Sequence, residues 1–158
     1  MNITVISVGK IKEKYFTAAI DEYSKRLSRF AKLNIIEVAD EKIPDNASEK
    51  EMEQIKEKEG NKILTKLPQN SFVVTLCIEG KEHPSEELAK KIADISMTSS
   101  HITFIIGGSL GLSDTVKSKS ALRLSFGKMT LPHQLMRVVL LEQIYRAFKI
   151  NNNESYHK

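Results

Sequence analysis

Residues 132–148, PHQLMRVVLLEQIYRAF, constrain this chain more than any other stretch, because a helix of that composition has almost no polar side to leave in water. Leu135, Met136, Val138, Val139, Leu140, Leu141, Ile144, Tyr145, Ala147 and Phe148 cover most of its circumference, interrupted by Arg137, Glu142, Gln143 and Arg146. A helix apolar nearly all round has to be buried on more than one side. In a chain of 158 residues the expectation is that one side faces its own sheet and the other a second copy of the chain. Pro132 is expected at the first helical position, where its missing N–H costs least. Just before it, Phe126-Gly127-Lys128-Met129-Thr130-Leu131 is too irregular for strand or helix and forms a candidate binding turn.

The rest of the chain alternates strands and helices. Residues 3–8 are a β-rich apolar run ending at Gly9. Phe16, Ala19, Ile20, Tyr23, Leu27 and Phe30 recur at helical spacing, predicting a helix with Lys25, Arg26 and Arg29 on its outer face. Residues 33–38 predict a second strand. Ser48 with Glu51 three residues on is a capping box, opening a charged peripheral helix to Leu67 with Gly60 as a candidate break. Residues 72–78, FVVTLCI, form the near-continuous apolar run of a central strand, ended by a turn at 79–81. Ser85 is expected to cap a helix with Leu88, Ile92 and Ile95 inward. Residues 102–106 predict a buried strand, Ser113-Asp114 a short helix to about residue 119, and residues 122–126 the last strand. Five strands alternating with helices predict an α/β fold, a mostly parallel sheet with flanking helices, as one domain over residues 1–158. Residues 151–158 fall outside the pattern, and the expectation there is a loose tail.

Composition narrows the function classes. The chain is 41% hydrophobic and 28% charged, an ordinary globular balance, without an apolar run long enough to cross a membrane. Its start lacks the basic region and cleavage site of a signal peptide, so a cytoplasmic chain is expected. The single cysteine, Cys77, excludes an internal disulfide and fits a reducing compartment. The net charge of +4 is uneven: residues 1–32 hold seven Lys or Arg against three acids, residues 33–60 four against nine, and residues 61–158 thirteen against eight. Two basic regions flanking an acidic one permit a polyanionic partner such as RNA, although solvated faces explain most such excesses.

In an open α/β sheet ligands sit beyond the carboxyl ends of strands, which selects the junctions after Leu76-Cys77, after Ile106 and after Phe126. Gly107, Gly108 and Gly111 either admit a ligand close to the backbone or simply make a tight turn. Their spacing is not that of a dinucleotide or P-loop motif, and no acidic ribose partner follows, which counts against a nucleotide-dependent oxidoreductase. His83, His101, His133 and His157 show no metal-ligand spacing, so no metal is expected. Cys77, inside a strand, suits packing better than nucleophilic attack. His133, at the mouth of the last helix, is either a backbone-bonding helix-start residue or part of a site. Arg137 and Arg146 each need an acceptor; for Arg146 either Glu142, four residues earlier, or a phosphate supplies it.

GGSLGL after a buried strand, LSFGKMTLPHQLMRVVLLEQIYRAFKI and the terminal Tyr-His-Lys together resemble the ribosomal RNA large-subunit methyltransferase H family, small members of the SPOUT class, and the likeness extends from VISVGKIKEKY to the last residue. The resemblance implies S-adenosylmethionine-dependent methylation of N3 of a pseudouridine in helix 69 of 23S rRNA; with no separate RNA-binding domain, the assembled ribosome is the expected substrate. It also implies a C-terminal trefoil knot and a homodimer. It assigns cofactor binding to Leu76, Gly108, Gly127, Lys128, Met129, Thr130, Leu131 and Pro132. The family's C-terminal tail approaches the partner's cofactor, which makes Arg146, Tyr156 and His157 the catalytic candidates, with His157 as base. Leu110, Gly127 and Asn153-Glu154-Ser155 depart from the family's usual pattern. A non-catalytic ribosome-binding module is the alternative that the basic faces would also suit.

Overall fold

Five parallel strands form one sheet in the order β2-β1-β4-β3-β5 in the computed structural model, which describes residues 1–158. In chain order the elements are β1 (Asn2–Val8), α1 (Lys14–Leu27), β2 (Lys32–Val38), α2 (Glu49–Lys66), β3 (Phe72–Glu82), α3 (Ser85–Ser96), β4 (His101–Ile106), α4 (Asp114–Lys117), β5 (Leu122–Ser125) and α5 (His133–Asn151). Every strand pairing is parallel. The reason lies in the apolar runs: strands covered on both faces carry hydrophobic residues at consecutive positions, and helical crossovers supply the covers.

Alternation divides the core in two. Ile3, Val5, Val74, Ile102, Phe104, Ile106 and Leu124 point to one face, against Leu27 of α1, Leu88 and Ile92 of α3, and Leu140, Leu141 and Ile144 of α5. Ile6, Val8, Val73 and Ile105 point to the other, against Ile63 of α2 and Val116 beside Leu112. Helix α5 therefore lies on the sheet between α1 and α3. Its two-sided burial is met partly by these neighbours, while Leu135, Val138 and Val139 remain only half-buried.

Several local readings need correction. Helix α2 runs unbroken through Gly60, because this glycine serves close packing: a Cβ there would lie 2.6 Å from Ser113 Oγ and 3.0 Å from Val116 Cγ2. Strand β3 continues past the expected turn at residues 79–81 to Glu82, with a register shift in which Leu76 and Lys81 both pair with Leu124. Pro84 and Pro132 occupy the N-cap positions, one residue outside the helices. Ser85 accordingly does not cap; its hydroxyl donates to Gln143 Oε1 at 2.8 Å and ties α3 to α5. The capping box at Ser48 forms as expected, Ser48 Oγ accepting from Glu51 N at 3.1 Å and Glu51 Oε1 from Ser48 N at 3.2 Å.

Gly60→Ala should gain about 1 kcal/mol of helix propensity yet lose about 1–3 kcal/mol to overpacking against α4. The expected outcome is a melting temperature lower by about 3 °C in calorimetry; an increase would show that α4 yields freely.

Candidate active site

The carboxyl ends of β4, β3 and β5 lie side by side, so their three following segments meet at one edge of the sheet. With the start of α5 they enclose a cleft of about 660 Å³. Leu76, Gly108, Gly127, Met129, Thr130, Leu131 and Pro132 all line it; Lys128 alone of the eight cofactor candidates does not. A cleft of this size, largely apolar with backbone groups at its rim, suits a nucleoside-sized ligand.

Each wall has a local cause. The glycine segment folds flat on itself, Gly111 N donating to Gly108 O at 3.0 Å. Only a glycine fits at position 107, where a Cβ would stand 2.7 Å from the carbonyl carbon of Gly111. On the neighbouring wall the buried Ser125 hydroxyl accepts from Gly127 N and donates to Gly127 O, both at 3.1 Å. That bond pair holds a turn in which Gly127 has a φ of +134°. The third wall is the bulge of β3, residues 77–80, seated on β5 because Gly80 lets the backbones of Arg123 and Leu124 come within 2.8 Å of where a Cβ would be. Ile78, Met129 and Leu131 stand exposed around the mouth.

The charged residues lining the cleft are Lys56, Lys117 and Glu79. Lys56 is bound to Glu53 at 2.6 Å, and Lys117 is paired with Glu79. The Lys117 contact holds the Glu79 carboxyl below its usual range. Burial pushes the Cys77 thiol up, so it stays a neutral packing group as its place in a strand suggested. His133 lines the cleft, and its pKa is lowered first by burial and then by Arg137 beside it, so the imidazole is neutral at pH 7. Arg137 itself has a structural task. Its guanidinium, buried, donates to Val8 O at 2.8 Å, Gly9 O at 2.7 Å and Glu37 Oε2 at 2.6 Å.

Arg146, Tyr156 and His157 form a second cluster. Tyr156 donates its hydroxyl to Glu142 Oε1 at 3.0 Å, and Arg146 binds the same oxygen while its guanidinium lies 4.8 Å over the Tyr156 ring. The acceptor for Arg146 in this chain is thus Glu142. Arg146 Nη1 also meets His157 Nδ1 at 3.1 Å, and His157 Nε2 meets Glu86 Oε1 at 2.8 Å. A guanidinium can only donate, so Nδ1 accepts and the proton sits on Nε2, facing Glu86. Burial, then the bond to Glu142, pushes the Tyr156 hydroxyl up to about 12, leaving it protonated at neutral pH.

The tail is therefore ordered, against the expectation of a loose end. Its fixing partners lie on α3, on α5 and at Arg29 beyond α1, and eight residues without periodicity give no sign of them. None of the three catalytic candidates lines the cleft: one chain assembles the cleft and the cluster separately. The sequence alone assigned no site role to Glu79, Gly80, Lys117, Lys56 or Glu86, and marked Glu154 only as a departure from the family's tail; the i, i+4 spacing of Glu142 and Arg146 was the usable signal. No group of three or more His, Cys, Asp or Glu side chains is placed to hold a metal ion. No helix is long and apolar enough to cross a membrane.

Residues 1–157 match the family model described as "Predicted SPOUT methyltransferase". A protein of Clostridium botulinum (strain Kyoto / Type A2), named ribosomal RNA large subunit methyltransferase H, is 63% identical over 159 residues, covering 100% of both chains. One of the same name from Clostridioides difficile (strain 630) is 60% identical with the same coverage. Among solved structures, a probable methylase family protein from Haemophilus influenzae Rd KW20 aligns with a TM-score of 0.58 at 14% identity, covering 99% of this chain and 70% of that one, a likeness of fold.

The lowered pKa of His133 has a thermodynamic consequence. Above about pH 6.5 the folded and unfolded chains both hold it neutral; below that the unfolded chain takes the proton first, so its share of stability is lost as pH falls toward the folded pKa. His133→Gln is expected to flatten the fall in melting temperature below about pH 6.5. An identical pH profile in the variant would show that the imidazole is not held neutral.

Proposed function

This chain belongs to the ribosomal RNA large subunit methyltransferase H family of SPOUT methyltransferases, and from that premise we propose that it methylates N3 of a pseudouridine in helix 69 of 23S rRNA, with S-adenosylmethionine as donor. The observation that carries the reading is the single cleft in which seven of the eight cofactor candidates meet. Backbone groups of the glycine segment and of residues 127–132 would read the adenine, while Leu76, Met129 and Leu131 enclose it apolarly. A neutral His133 avoids placing a cation beside a sulfonium. The donor supplies an already activated methyl group.

The protein's part is to align the nucleophile and receive its proton. His157 is our candidate base. Its Nδ1 lone pair faces Arg146 in the free chain, and transfer of Arg146 to an RNA phosphate would release it. Tyr156, protonated, would stack on or orient the target base. We take the working unit to be a homodimer in which one copy's tail completes the other's cleft, the half-buried Leu135, Val138 and Val139 of α5 lying at the contact. The C-terminal trefoil knot and the use of assembled ribosomes belong to the same reading.

The deciding experiment is methyl transfer from labelled adenosylmethionine to ribosomes from a strain lacking this protein, with the product nucleoside identified by mass spectrometry. N3-methylpseudouridine in helix 69 is the expected product. Ribosome binding with no adenosylmethionine binding in calorimetry would instead mark a non-catalytic RNA-binding module.

For the base, His157→Ala should slow single-turnover transfer by about 10²-fold. An unchanged rate would move the role elsewhere.

A further inference from the structure

Helix α5 ends in a reversal. Asn152 N donates to Phe148 O at 3.0 Å, Asn153 N to Ile150 O at 3.1 Å and Glu154 N to Lys149 O at 3.0 Å, with Asn153 in the left-handed region at φ +54°. Immediately after the reversal the Glu154 carboxylate meets cations from two elements. Arg29, two residues beyond α1, grips it with both arms, Nη1 to Oε2 at 3.0 Å and Nη2 to Oε1 at 2.6 Å, and Lys149 Nζ donates to Oε2 at 2.6 Å. These contacts hold the carboxyl below its usual range, the Lys149 bond foremost.

The two candidate residues of the tail follow directly from this point. Tyr156 and His157 follow within three positions, beyond any helix or strand, and the tail contains no proline to restrict it. Ordering each such residue costs about 1–2 kcal/mol of backbone entropy. Their own bonds, to Glu142, Arg146 and Glu86, are few and partly exposed. An isolated exposed ion pair would add little, but a bidentate arginine fork reinforced by a second cation is the geometry in which surface pairs do contribute.

We infer that Glu154 is a positioning residue: its clamp to Arg29 and Lys149 sets where the tail begins, and so holds Tyr156 and His157 in register with Glu142, Arg146 and Glu86. The inference rests on the reading of the tail as the catalytic end. Because Arg29 is 65% exposed, the clamp is open to screening by salt.

The test uses the full chain with Glu154→Gln, Arg29→Ala, the double variant and Glu154→Asp, each checked for an unchanged core by its melting curve. Two quantities are read. Amide hydrogen exchange over residues 153–158 should speed up in both single variants, with exchange in β1 and β4 unchanged. In ribosome methylation kcat should fall about fivefold while the calorimetric Kd for adenosylmethionine stays the same. The double variant should be no worse than Glu154→Gln alone, which already removes the Arg29 and Lys149 contacts together, and Glu154→Asp should recover part of the loss. Unaltered tail exchange in Glu154→Gln, or additive losses in the double variant, would overturn the clamp. If the wild-type chain transfers no methyl group at all, the proposed reaction fails, and tail exchange alone still decides whether Glu154 holds the tail.

Discussion

A buried charge under the first turns of α5 holds the functional parts of this molecule to its sheet. Arg137 is 2% exposed, and three hydrogen bonds fix it to the carboxyl ends of β1 and β2. Glu37, its ionic partner, also accepts from Ile11 N at 3.0 Å, so the same carboxylate steadies the segment leading into α1. Interactions of this kind are expensive to disrupt one side at a time, about 3–5 kcal/mol when a buried partner is removed. The consequence is positional. Pro132, His133 and Met136, which close one end of the cleft, lie within five residues of Arg137, and Glu142 and Arg146 follow along the same helix.

The cleft itself uses little side-chain chemistry. Its walls are strand ends brought together by the order β4-β3-β5, and its closest approaches are between backbones, at Gly107 against Gly111 and at Gly80 against Arg123 and Leu124. Preorganised backbone N–H and C=O groups lose no rotamer entropy on binding, which suits recognition of a flat heterocycle with donors and acceptors on its edge. The ion pairs at the periphery, Lys117 with Glu79 and Lys56 with Glu53, secure the rim to α4 and brace α2. The geometry of the cleft is therefore supplied by packing and backbone contacts.

Much of this was legible in the residues. Near-continuous apolar runs such as 72–78 and 102–106 imply strands covered on both faces, and the periodicity of α1 and the capping box of α2 place those helices. What failed did so where the cause is non-local. EGK, residues 79–81, reads as a turn, and only pairing with β5 across a register shift makes it strand. Gly60 looks like a helix breaker until Ser113 and Val116 are packed on it. The tail looks unstructured because its clamp joins residues 125 positions apart, Arg29 and Glu154, a pairing no local pattern announces. The candidate site divides in the same way: the glycine segments are marked by composition, whereas Lys117, Glu79 and Glu86 are ordinary surface charges until the chain folds.

The separation of cleft and tail cluster has a geometric implication for the proposed reaction. His133 begins α5 and Arg146 lies thirteen residues later, about 20 Å along the axis at the rise of an α-helix. Methyl transfer needs the reacting atoms within about 3–3.5 Å, and none of one chain's Arg146, Tyr156 and His157 lines that chain's own cleft. A two-fold partner running antiparallel along α5 would set each tail cluster beside the other chain's cleft, and an isologous contact generates both composite sites at once. The residues left half-buried along that helix, Leu135, Val138 and Val139, lie between the two clusters, where such a contact would have to form. In such a dimer the nearly all-round apolarity of α5 and the split site would have a common cause: the helix would be both the core of one subunit and the spacer that matches one subunit's tail to the other's cleft.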